Sequence, residues 1–351
     1  MATSLEYFWK KKTILSFVAI FLVVIIHSSA ISQYSLPEDN LTNVTLLLRN
    51  IVAYSLGSVA VPFFFFVSGI SLFRDYTNKL YFKKLHSRIK TLLIPFLIWN
   101  IIGLLFALLY TYTPLSQLIT GREPFSPTFG NILEGIFLYK YNYAFWFVFY
   151  LIIFTILTPL FNLLLSKKWL SLLTITLLLS ASFFIKEYSD LNLDCVVFYF
   201  IGCYLGKYHI KDISKIASTK LSVSSILIFT TTIIIKALDI YNIISLPTIL
   251  SELLLIVTLF SFWFSSDIFL KRVCRAPRFT EEFFPVYALH TYFIAIIVKI
   301  LFMLLPKNSL SLLLNEIASP ILTIIIVTIL AVLWRKFFPK TYRLAFGRKT
   351  N

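Results

Sequence analysis

Read for apolar and polar positions, the chain is a succession of long apolar runs separated by short, mostly basic breaks. The runs cover roughly 13–33, 51–73, 92–112, 144–165, 169–185, 192–208, 220–238, 247–265, 284–305 and 311–334. Most reach the length of about 20 residues that an α-helix needs to cross about 30 Å of hydrocarbon. The unbroken Leu, Ile and Phe stretches lack the two-residue alternation of a membrane-spanning barrel strand. The pattern predicts an all-α polytopic membrane protein, a bundle of about ten transmembrane helices forming a single domain over residues 1–351. Two runs are weak: 192–208 carries Asp194, Gly202 and Gly206, and 311–334 carries Glu316 and Pro320. The longest polar segment, 113–143, contains a stretch at 130–139 that reads as a short interfacial helix. No internal repeat is visible, which disfavours a transporter of the inverted-repeat type.

Composition supports this picture. Apolar residues make up 58% of the chain, charged residues only 14%, and the mean hydropathy is +0.85. A soluble fold could not hide that much apolar surface in one core. The net charge of +16 would suit a nucleic-acid partner, but the cations sit in short loops between the apolar runs. There they act as topology signals and meet lipid headgroups, so membrane lipid is the expected partner and nucleic acid is not. Placing the loops alternately inside and outside, starting inside, puts 25 of the 32 Lys and Arg residues inside and six outside. Both termini are therefore expected to be cytoplasmic. Cys195, Cys203 and Cys274 show neither a disulfide framework nor metal-ligand spacing, and no metal is expected. The first run follows Lys10–Lys12 and is too long for a signal-peptide core, so an uncleaved first helix is expected.

Ionisable residues within apolar runs are costly, and each is a candidate for function. They are His27, Asp194, Glu252, His290, Lys299 and Glu316. Counting 1.5 Å per residue places His27 roughly 20 Å from the inner boundary. The same counting puts five of the six in the outer half of the membrane and His290 on the inner side. Asp194, Lys299 and Glu316 have two readings, pairing within that layer or contact with water at the interface. His27, flanked by Val23, Val24, Ile25 and Ile26, reads as a general base that exchanges a proton near neutral pH. Glu252 is a carboxylate suited to orient it. For His290, a packed histidine and a site residue are both open.

The segment 74–91 concentrates Arg74, Lys83, Lys84, Arg88 and Lys90. Topology and lipid contact account for some of these cations; the functional reading is a phosphate-rich ligand such as a nucleotide carrier. Lys84, Arg88 and Thr91 recur at i, i+4 and i+7, one helix face leading into the third run.

Several stretches together carry a family resemblance. Phe17–Ser28 ends in His27-Ser28. Val61-Pro62 leads through four phenylalanines to Ser68-Gly69, and Arg88–Trp99 contains Pro95. Phe145-Trp146-Phe147 with Pro159, Tyr199-Phe200-Ile201-Gly202 and Val286-Tyr287-Ala288-Leu289-His290 follow in order. In these motifs the chain resembles the acyltransferase-3 family of bacterial membrane O-acyltransferases of polysaccharides, over nearly its whole length. The resemblance implies a multi-pass enzyme of the bacterial cytoplasmic membrane. It would move an acyl group, most simply acetyl, from cytosolic acyl-CoA to a hydroxyl of a cell-envelope or extracellular polysaccharide. Under it, His27 and Glu252 are the catalytic candidates. Arg88, Lys84 and Arg74 are candidates for binding the donor phosphates, and Trp146, Asp194 and His290 for the glycan acceptor. Many members carry an Arg eleven residues before the first-helix histidine; Ser16 stands there, with Lys11 or Lys12 as nearby cations. The chain is expected to be the stand-alone form without an appended hydrolase-like domain. Asn40-Leu41-Thr42 and Asn43-Val44-Thr45 match glycosylation sequons, which a bacterial origin would make accidental. The rival reading is a transporter or flippase for a glycan or lipid-linked intermediate, using the same charges without covalent chemistry.

Overall fold

A computed structural model describes residues 4–34, 39–114, 124–186 and 193–347, and every regular element among them is helical. Arg122, Arg348, Lys349 and the first residue of the 192–208 run lie outside the described residues. The helices begin with α1 Ser4–Ile26, α2 Asn40–Arg49, α3 Ala60–Phe73, α4 Tyr81–Arg88, α5 Ile94–Tyr112, α6 Phe129–Phe137, α7 Trp146–Ile156 and α8 Thr158–Leu164. They continue with α9 Lys168–Lys186, α10 Asp194–Tyr208, α11 Thr219–Ile240, α12 Thr248–Ser265, α13 Phe283–Leu304, α14 Ser309–Phe337 and α15 Pro339–Phe346. The expected interfacial helix at 130–139 is α6, whose first turn is capped by Thr128 accepting from the Asn131 amide at 3.2 Å.

Six helical stretches among the described residues are long and apolar enough to cross a membrane. They are Asn40–Phe73, Asn78–Tyr112, Thr219–Ile240, Thr248–Leu270, Arg278–Leu304 and Ser309–Phe337. The first two are continued through π-helical turns at Asn50–Leu56 and Ile89–Leu93. A seventh arises if Tyr143–Ile156 and Thr158–Leu164, broken at Leu157, are taken together. The other three expected spans are also helices, but each departs from a full apolar crossing. α1 holds Lys10, Lys11 and Lys12 within it, α9 has only a short apolar stretch at Lys168–Ser182, and α10 is 15 residues long.

The chain divides into two compact units. The first comprises residues 1–26, 47–81 and 158–281. Its tightest packing joins α3 to α10 through glycines. A Cβ at Gly69 would lie 2.2 Å from the Tyr199 carbonyl oxygen, and one at Gly202 would lie 2.1 Å from that of Phe66. Only glycine allows backbones this close, and such contact is the main source of helix adhesion where lipid is the solvent. The glycines that made 192–208 look weak as a span are thus what seats it. Cys203 lies in the same interface, beside Gly69, and both it and Cys195 of α10 are buried. The unit also buries a charge cluster. Lys11 Nζ and Tyr7 Oη both donate to Asp267 Oδ1 at 2.6 Å, and the Ala217 amide donates to Oδ2 at 3.0 Å. The Lys11 ammonium also lies 4.3 Å from the Trp263 ring centroid.

The second unit comprises residues 27–46, 82–157 and 282–351. Here the first expected span, 13–33, needs correction: α1 ends at Ile26 and the chain turns at His27. The freed backbone finds other partners. The Ala30 amide donates to Glu316 Oε1 at 2.6 Å, and the Tyr34 amide to the Ile31 carbonyl at 3.1 Å. Backbone can leave the helix in an apolar setting only when its polar groups are satisfied in this way. Glu316 therefore holds a turn, and Lys299 reaches Gln33 Oε1 at 3.5 Å. α13 and α14 form a hairpin in which the Asn315 amide donates to the Val298 carbonyl at 3.0 Å. On the other side of the unit, the Asn142 side chain donates to the Trp99 carbonyl at 3.0 Å, and that of Asn100 to the Ile136 carbonyl at 3.0 Å. These bonds hold the 137–145 turn against α5.

Candidate active site

The second unit contains a cavity of about 770 Å³ where α4 runs into α5. One wall is the helix face carrying Lys83, Ser87, Lys90 and Ile94, with His86 and Thr91 beside it; the other is Lys340, Arg343 and Leu344 of α15, with Gly347. The spacing 83, 87, 90, 94 is one stripe of a helix, so the sequence places these side chains together as soon as the helix forms. The π-turn Ile89–Leu93 lies within this wall, and such turns recur at functional sites. Among the described residues, every formally charged side chain in the lining is a cation. A one-sign lining of this kind suits an anion with several oxygen acceptors, above all phosphate.

Behind α15, outside the cavity lining, the packing is aromatic. Trp99 Nε1 donates to the Ala345 carbonyl at 2.8 Å, and its ring lies 5.6 Å from that of Phe346. From Trp99 a row of rings crosses the unit. Phe145 lies 6.5 Å away, Tyr287 5.3 Å beyond it, then His290 at 6.2 Å and His27 at 5.3 Å, all between ring centroids. The row fixes its own members: Tyr287 Oη donates to the Ala144 carbonyl, and His290 Nδ1 lies 2.6 Å from the Tyr287 carbonyl. A carbonyl only accepts, so Nδ1 carries the proton in that bond, and in the neutral ring Nε2 presents a lone pair. His290 is fully buried, whereas His27, at the turn after α1, is exposed.

The structure thus brings together His27 and His290, which residue counting had assigned to different layers. The counting failed because α1 starts at Ser4 and breaks at His27, and because α13 follows directly on a helical turn at Arg278–Glu282. Trp146 opens α7, half-buried, with Phe147 beside it at 6.5 Å and Phe147 in turn 6.0 Å from Tyr287. Glu252 belongs to the first unit, where it is 5% exposed and accepts from Ser182 Oγ at 2.5 Å. Asp194, also in the first unit, is in the first turn of α10, where a carboxylate complements the helix dipole. Arg74 pairs with Asp75 at 2.9 Å and lies 5.0 Å from the Trp9 ring. Lys84 and Arg88 are half-buried on α4 outside the cavity lining; of the predicted 84, 88, 91 stripe, only Thr91 lines it. Of the two cations near Ser16, Lys11 is engaged by Asp267, and Lys12 donates to Ser71 Oγ at 3.0 Å. Lys340 and Arg343 were missed. Their signal was a basic, amphipathic segment bounded by Pro339 and Gly347 just after the last apolar run.

The family model for acyltransferase-3, described as an acyltransferase domain, matches residues 14–334. The chain belongs to the acyltransferase-3 family. It is a membrane acyltransferase with multiple apolar helices. No curated protein and no solved structure matches it.

Proposed function

We propose that this acyltransferase takes an acyl group, acetyl in the simplest case, from cytosolic acyl-CoA and delivers it to a hydroxyl of an envelope polysaccharide. The observation that carries this reading is the row of rings that starts at Trp99, which holds the α15 wall of the cation-lined cavity, and ends at a histidine pair within one unit. A phosphate-rich donor would be held in the cavity by Lys83 and Lys90, with Lys84 and Arg88 raising the local potential. Its acyl end would extend toward His27. With the cationic side facing the cytosol, the reading keeps ten crossings with both ends inside, in a bacterial cytoplasmic membrane, and the excess of basic residues in the loops assigned inside supports that orientation.

In the proposed reaction His27 removes the proton of the acceptor hydroxyl as that oxygen bonds to the thioester carbonyl carbon. The C–S bond then breaks, and the proton passes from His27 to the departing sulfur, leaving an ester and a free thiol. His290, held by the Tyr287 carbonyl, would orient His27 and share its positive charge, a role that sequence reasoning gave to Glu252. Trp146 would supply a ring face for a sugar. His27→Ala should lower transfer of labelled acetyl from acetyl-CoA to polysaccharide by about 10²–10⁴-fold, with membrane insertion intact. Full activity in that variant would refute the mechanism.

A further inference from the structure

The matched family region ends at residue 334, yet half of the cavity's charged wall comes from beyond it. α15 is eight residues long and basic, a segment that would be expected to fray if nothing held it. Three separate ties hold it. The Trp99 indole bonds the Ala345 carbonyl, as described above. Gly347, at φ +62, ends the helix so close to Thr91 that a Cβ there would lie 2.4 Å from the Thr91 carbonyl oxygen. Third, Glu282, fully buried, accepts from Tyr342 Oη within α15 and pairs with Arg335 Nη1 at 2.7 Å just before it. The ties at Ala345 and Tyr342 act on the buried side of α15, and the Gly347–Thr91 contact closes the end of the cavity; Lys340 and Arg343, one turn apart, line the cavity opposite Lys83 and Lys90.

We infer that α15 is the second jaw of the donor site, with Lys340 and Arg343 gripping phosphate and Glu282 positioning the jaw. The inference rests on the acyl-CoA reading above. The charge supports it: four cations face one another, and coenzyme A carries about four negative charges in its diphosphate and phosphomonoester. A cavity lined by one sign of charge is costly while empty of anions and is relieved by a ligand of that size. Phospholipid headgroups offer the same phosphate chemistry, so the test separates the two sources.

Coenzyme A binding is measured on the full-length protein in nanodiscs of phosphatidylcholine, with and without phosphatidylglycerol. K340Q/R343Q should raise the Kd for coenzyme A about tenfold or more and flatten its dependence on salt. The charge-retaining K340R/R343K should restore both, which separates charge from simple loss of folding. A Kd within twofold of wild type in K340Q/R343Q, or no rescue by K340R/R343K, overturns the inference and leaves the acyl-CoA reading standing. Displacement of coenzyme A by phosphatidylglycerol, with the glutamine variant changing only lipid binding, assigns the cations to lipid and also overturns it. If the wild-type protein binds no coenzyme A, the donor reading itself fails.

Discussion

The two units each bury the carboxylate of an ion pair but differ in what they do with their other cations. In the first, Lys11 is closed off at 1% exposed against fully buried Asp267, with Tyr7 and the Ala217 amide completing the carboxylate's bonds. In the second, which buries Glu282 against Arg335, Lys83, Lys90, Lys340 and Arg343 surround open space, and among the described residues no carboxylate lines it. Burying an ion is expensive, so a pair with every bond satisfied is a feature of architecture. Cations gathered around a cavity without their counter-charge leave the anion to a ligand. The packing also differs in scale. The first unit joins two longer helices, α3 and α10, backbone to backbone through Gly69 and Gly202, whereas in the second the closest glycine contact, Gly347 on Thr91, only seats the short α15, and a row of rings leads from Trp99 to His27.

The comparison is broken most strongly at Asp267. Asp267→Ala should destabilise the protein by about 3–5 kcal/mol, because Lys11 is left buried without its carboxylate. The Lys11→Ala/Asp267→Ala double variant should be less destabilised than the single one. Thermal unfolding in detergent reads both, and equal losses would mean that the pair is not closed. A smaller effect is expected at the glycine seam. Gly202→Ala should cost about 1–3 kcal/mol, since the new methyl meets the Phe66 carbonyl rather than a movable side chain. An unchanged unfolding midpoint would remove the seam from the account.

The helices were legible because apolar runs of span length have few alternatives, and each of the ten expected runs corresponds to helix in the structure. The break at His27 was not legible. Val23–Ile26 and the residues after it are equally compatible with helix, and the turn depends on Glu316, far away in sequence, taking the Ala30 amide. The basic loop is a concentration of charge as expected, and the face that lines the cavity is the one next to the expected stripe. The stripes 84, 88, 91 and 83, 87, 90 lie side by side on one helix, and only the docking of α15 selects between them. The proximity of His27 and His290 was hidden for a similar reason, since depth counted from run boundaries assumes that all helices start in one plane. The Ser68-Gly69 and Gly202 motifs, which carried the family resemblance, turn out to serve packing, while the cationic jaw of α15 lies outside the matched region.

The central claim is that the cationic cavity and the histidine pair serve the two ends of one transfer across the membrane. It is tested most directly in sealed proteoliposomes, with acetyl-CoA labelled in the acetyl group supplied on one face and polysaccharide on the other. The account predicts labelled ester only when acetyl-CoA is on the face bearing Lys83 and Arg343, and its loss in His27→Ala. Labelled ester formed only when donor and acceptor share a face would contradict it.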